Sequence, residues 1–81
     1  MTITIECYGA SARWCGGAKI ALELAADGTV DDALSVLAQR YPEFASRRAS
    51  VAVAIGDAIV KPSQRLPDGA LIALIPPVSA G

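Results

Sequence analysis

Leu66-Pro67-Asp68-Gly69-Ala70-Leu71-Ile72-Ala73-Leu74-Ile75-Pro76-Pro77-Val78-Ser79-Ala80-Gly81 closes the chain, and its reading sets the fold. Leu66 to Gly69 places proline and glycine where a β-turn favours them. Leu71 to Ile75 is apolar throughout, as expected of a strand covered on both faces or central in a sheet. Pro76 and Pro77 fix φ and remove two backbone donors, so sheet pairing ends there. Ile75 and Pro76 each precede a proline and are held extended. Four slim residues, Val78 to Gly81, then reach at most about 13–14 Å. Gly81 has no Cβ to collide with the walls of a narrow channel. The expected organisation is a folded body over residues 1–75 and an extended tail over 76–81 that presents a carboxylate.

Working outward, Thr2–Tyr8 alternates, with Ile3, Ile5 and Cys7 on one face, and reads as a half-buried strand. Gly9 to Ala18 holds three glycines and reads as a loop. Lys19–Leu24 alternates again, with Ile20, Leu22 and Leu24 inward, and makes a hairpin with the first strand. Thr29 with Asp32 three residues on resembles a capping box, and Asp31 and Asp32 suit the positive end of a helix. Val30, Ala33, Leu34, Leu37 and Tyr41 recur at helical spacing, and Pro42 ends that helix at Arg40 or Tyr41. Glu43–Ser50 reads as no more than a short turn. Val51–Ile55 and Ala58–Lys61 form a hairpin across Gly56-Asp57, where glycine at the first central position suits a type II′ turn. The order is ββαβββ. One helix across one mixed five-stranded sheet is an α+β arrangement; with the first and last strands side by side it is the β-grasp, or ubiquitin-like, fold.

Composition narrows the function. The chain has 81 residues, enough for one modest core, and a formal net charge of −1. Arg47-Arg48 is the one basic pair and reads as a solvated helix end, so nucleic acid is not an expected partner. No apolar run approaches the ~20 residues of a membrane span, and no signal segment opens the chain, so the expected location is cytoplasmic. Histidine is absent, which removes the usual general base and the commonest zinc ligand. Asp27, Asp31 and Asp32 are better explained by helix capping than by a metal, and no metal site is expected. Cys7 belongs to the core; Cys15, before Gly16-Gly17, lies in a loop where it can be exposed. Neither has the spacing of a redox or metal motif, and a disulfide is not expected.

The closing sixteen residues closely resemble the end of the small subunit of molybdopterin synthase. That family carries a Leu-x-Asp-Gly-Asp-x strand, then Pro-Pro-Val, a small residue and Gly-Gly. The remainder fits more loosely, through Tyr8-Gly9-Ala10 followed by Arg13, the helix after a Thr-Val step, and the Ala52–Val60 hairpin. Two positions depart from the pattern. Ala70 stands where an acidic residue is usual, which reads as a surface change, and Ala80 replaces the penultimate glycine, adding a methyl group and forbidding positive φ.

The resemblance implies a sulfur carrier that is a cosubstrate rather than a catalyst. An E1-like enzyme would adenylate the carboxylate of Gly81 with ATP, and a sulfur donor would convert it to a thiocarboxylate. The sulfur would then pass to a pterin precursor on the large subunit, in a complex expected to be a two-plus-two heterotetramer. No cofactor is expected on this chain itself. Ser79 and Ala80 would thread the partner's active site, with Pro76 and Pro77 leading in. Leu74, Ile75 and Val78 are candidate partner contacts, although whichever of Leu74 and Ile75 faces the helix is core instead. Arg13 is a further candidate, toward the partner or the tail. The alternatives are a carrier serving thiazole (thiamine) or cysteine synthesis, and a ubiquitin-like binding module whose tail has lost its chemistry.

Overall fold

A computed structural model describes residues 1–77 of the chain. Its strands are β1 (Thr2–Cys7), β2 (Lys19–Glu23), β3 (Ala52–Ile55), β4 (Ala58–Ile59) and β5 (Leu71–Ile75). They form one sheet in the order β2-β1-β5-β3-β4. β1 and β5 run parallel at the centre, with Thr4 opposite Leu71 and Cys7 opposite Leu74; the other pairings are antiparallel. The fold is therefore the β-grasp expected from the element order.

The main helix, α2 (Val30–Arg40), begins at a complete capping box. The Thr29 hydroxyl accepts from the Asp32 N–H at 3.2 Å, and the Asp32 carboxylate accepts from the Thr29 N–H at 2.9 Å. Aspartate thus serves where glutamate is usual. Val30, Ala33, Leu34 and Leu37 turn inward from α2 onto Ile3, Ile5, Leu22, Ile72 and Leu74. Burial of each large aliphatic side chain contributes roughly 1.5–3 kcal/mol. The β3–β4 turn has φ +63° at Gly56 and no positive φ at Asp57, the sign pattern of a type II′ turn.

Two stretches carry more structure than their composition predicts. Within the glycine-rich Gly9–Ala18 segment lies a short helix, α1 (Ser11–Trp14). Gly9 and Gly16, at φ +54° and +75°, supply the bends around it, and the Ser11 hydroxyl donates to the Tyr8 carbonyl at 2.6 Å. Because α1 turns its inner side to the core, Trp14 is buried, and Cys15, in the turn that follows, is wholly buried rather than exposed. Glu43–Ser50 is likewise more than a turn. Pro42 opens α3 (Pro42–Arg47), where a missing N–H costs nothing, and a 3₁₀ turn follows over Arg48–Ser50. Phe44, fully buried, anchors this stretch.

The two arginines there are engaged rather than merely solvated. Arg47 lies over the Trp14 ring, and Arg48 pairs with the Asp31 carboxylate and reaches the Ser35 hydroxyl at 3.3 Å. Ala70 is also not a surface position. It is 6% exposed within the core cluster, its N–H donating to the Pro67 carbonyl and its own carbonyl accepting from Thr4. No helix among the described residues is long and apolar enough to cross a membrane.

Candidate functional site: the open sheet face and the root of the tail

The helices cover one face of the sheet and leave the other open. Side chains alternate along each strand, so the register fixes what the open face displays. On β5 the inward residues Ile72 and Leu74 are fully buried, while Leu71 and Ile75 are 49% and 38% exposed. The strand is central, as its uninterrupted apolar run predicts, but it is covered on one face only. This separates the two adjacent candidates: Leu74 is core and drops out as a contact, whereas Ile75 faces outward.

Across the open face the chemistry changes sides. Lys19, Glu6, Ala73, Ala54 and Ile59 stand in one row by successive pairing. The row begins with a Lys19–Glu6 ion pair at 4.0 Å and ends on Ile59, an exposed isoleucine on the short strand β4. The neighbouring rows repeat the gradient, with Thr4 beside Leu71, and Ile75 beside Ala52. The β1–β2 half is thus polar and the β5–β3–β4 half is apolar. Contiguous exposed apolar surface of this kind marks a contact site. Its low relief, set by alanines at 52, 54 and 73 between Leu71, Ile75 and Ile59, suits a broad protein surface. Ile59 also walls a groove of about 270 Å³ beneath β4, lined by Val30, Leu34 and Val53 and rimmed by the Arg48–Asp31 pair.

The chain leaves the sheet at the edge of this apolar half. Tyr8 donates its N–H to the Leu74 carbonyl at 3.3 Å, and Gly9 packs against Pro76. Pro76 is half-buried and Pro77 exposed. Tyr8, exposed, continues the face toward the exit. Arg13 is exposed on α1, the helix that begins just after Gly9, and has no ion-pair partner among the described residues. Val78, Ser79, Ala80 and Gly81, the remaining candidates, lie outside the described residues.

Burial pushes the Cys15 thiol up to about 12, with the neighbouring Cys7 adding to the effect, and burial raises Cys7 as well. Both thiols are buried and are held in the protonated, unreactive form. Among the described residues no three metal-binding side chains come together. What these residues offer chemically is a docking surface and a directed exit for the tail. The sequence expects the tail to begin at Pro76, directly after the strand that ends at Ile75. Sequence reasoning missed Tyr8, Leu71 and Ile59 as parts of the surface, although strand parity combined with the β5 pairing would have placed all three outward.

The ThiS family model matches residues 8–81. No curated protein sequence matches the chain. Among solved structures, SAMP1 from Haloferax volcanii is similar at 24% identity over 100% of both chains, with a TM-score of 0.90. A Pyrococcus furiosus protein described as subunit 1 of a molybdopterin converting factor aligns at 20% identity over 95% of this chain and 98% of that one, with a TM-score of 0.85. The complex of subunits 1 and 2 of the molybdopterin-converting factor from Helicobacter pylori gives 22% identity, full coverage of both chains and a TM-score of 0.70. At these identities the likeness to solved structures is one of fold.

Proposed function

The chain belongs to the ThiS family of ubiquitin-like sulfur carriers, and from that membership we propose that it is the sulfur-carrying small subunit of molybdopterin synthase. In this reading a cytoplasmic E1-like enzyme joins the Gly81 carboxylate to AMP, releasing pyrophosphate from ATP. Sulfide supplied by a donor attacks the acyl adenylate, forming the C–S bond as AMP leaves, and gives a thiocarboxylate. The tail then enters the large subunit, where the sulfur passes to the pterin precursor and Gly81 regains a carboxylate. Acids, bases and phosphate-binding groups belong to the partners; this chain supplies the reacting atom and its placement. Two copies of each subunit make the working complex.

The observation that carries the proposal is the apolar half of the open face, Leu71, Ile75 and Ile59 around small alanines, running into the Pro76-Pro77 exit. A partner seated there receives the tail at once, and two prolines shorten the search by holding its first steps extended. The Pro76-Pro77-Val78 step supports the molybdopterin branch, and one protein of like fold is recorded in a complex of subunits 1 and 2 of a molybdopterin-converting factor from Helicobacter pylori. Carriers for thiazole or cysteine synthesis would share the carrier chemistry but not the acceptor.

The test is the intact mass of the chain after incubation with ATP, its activating enzyme and a sulfide source. The expected result is a gain equal to exchanging one oxygen for sulfur, abolished by deleting Gly81. Sulfur transfer to a pterin precursor in the presence of the large subunit then identifies the pathway; loading without that transfer indicates another acceptor. No mass change with an enzyme active on a control carrier would leave a binding module with an inert tail.

A further inference from the structure

β2 is an edge strand whose free side is self-complementary. Its pairing with β1 includes hydrogen bonds from the Leu24 N–H to the Met1 carbonyl and from the Cys7 N–H to the Ala18 carbonyl, each 2.8 Å. In an antiparallel ladder, hydrogen-bonded and non-bonded pairs alternate. Ile20 and Leu22, in step with Ala18 and Leu24, therefore spend their backbone groups on β1. Lys19, Ala21 and Glu23 direct their N–H and carbonyl groups away from the sheet, and no strand among the described residues pairs there. The same three residues are exposed and carry their side chains on the open face.

The spacing of these three residues is symmetric about Ala21. A second copy of β2, laid antiparallel with a two-fold axis through Ala21, sets Ala21 against Ala21 and Lys19 against Glu23 on both sides. Each outward backbone group then meets its complement, and each ammonium stands beside a carboxylate on the same face. The lysine and glutamate side chains are 70% and 77% exposed, so they can turn to these partners without unpacking the core. Shifting the register by one pair sets a charged side chain opposite Ala21 and forfeits the ion pairs. The charges thus select one register. We infer that β2 is a self-association edge, joining two copies of this chain into one continuous sheet through the Lys19–Glu23 strand.

The arrangement leaves the proposed partner surface free. β5 and β3 lie on the far side of β1 from this edge, so the apolar half and the tail root remain open. Since β5 runs antiparallel to β2, the two-fold axis sends the two tails in opposite directions.

Sedimentation analysis of the full-length chain up to about 1 mM, where even a weak, millimolar dimer is populated, tests the inference. A concentration-dependent dimer is expected, weakened by Ala21→Pro. That change removes an outward N–H and no bond to β1, so the monomer ladder survives. A second arm uses charge. Lys19→Glu alone and Glu23→Lys alone should each weaken the dimer about tenfold, because like charges then face across the axis. Mixing the two single variants should restore association as a heterodimer. A chain that stays monomeric at every concentration overturns the inference and leaves the edge to a strand from another protein. A dimer indifferent to both Ala21→Pro and the charge reversals overturns it equally.

Discussion

Gly9 lies directly beneath Pro76: a Cβ built on Gly9 would stand 3.5 Å from the proline Cγ, and Gly9 holds φ at +54°. The turn after β1 thus lies beside the first residue of the tail. The distance is an ordinary contact, so the position needs glycine for its backbone rather than for space. Gly9→Ala should cost about 1–2 kcal/mol through the left-handed conformation alone. Urea unfolding should show a lower midpoint at unchanged slope. A loss well beyond that range would mean that the methyl group also displaces Pro76.

Leu74 and Ile75 are neighbours with opposite duties, one under the helix and one on the open face. Leu74→Ala should lose about 2–5 kcal/mol of stability by opening a cavity. Ile75→Ala should stay within about 0.5 kcal/mol of the native protein, yet weaken binding of the proposed large-subunit partner by about tenfold. Paired unfolding and binding titrations of the two variants check this. Equal effects on stability would place Ile75 in the core and remove it from the docking surface.

How much of this could be read from residues alone follows from the range of each signal. Strands β1, β2, β3 and β5 and helix α2 declare themselves because their period is local, and the Thr29–Asp32 cap is a three-residue event. The partnership of β1 with β5 depends on a contact across most of the chain, so the order of elements admits it only as a condition and the sheet register supplies it. α1 was hidden because three glycines outweigh four helical residues in any local count. What makes the helix is tertiary, the burial of Trp14 and Cys15 against the core. Ala70 misled for a related reason, since a small residue after a turn carries no mark of its depth. At the candidate site, the tail motif was legible, while the outward face of β5 needed the sheet pairing to separate Ile75 from Leu74.

The buried thiols predict a loss of stability in alkali. An unfolded cysteine titrates near 9.0, whereas burial lifts Cys15 to about 12. Above pH 9 the unfolded chain releases this proton first, so stability is full below that pH and declines as pH rises toward 12. Cys15→Ala should flatten that part of the profile relative to the native chain, although it costs stability at neutral pH through the lost side chain. Denaturant midpoints from pH 8 to 11, compared between the two proteins, isolate the contribution. Parallel profiles would show that Cys15 is not held neutral by burial.

Arg47 places its guanidinium carbon 5.2 Å from the centroid of the Trp14 ring, tying α3 to α1. The contact is at the surface, since Arg47 is exposed, and a cation–π pair there is worth about 0.5–1 kcal/mol. Arg47→Met should keep much of the apolar cover over the ring and lose the charge, while Arg47→Ala should lose both. Trp14 is the chain's sole tryptophan, so fluorescence reads this site without interference. Emission should shift to longer wavelength in the alanine variant as water reaches the ring, and much less in the methionine variant. Unfolding should rank native above methionine above alanine, within about 1 kcal/mol overall. If the alanine variant leaves both emission and stability unchanged, Arg47 does not cover the indole in solution, and α1 is held by its buried residues alone.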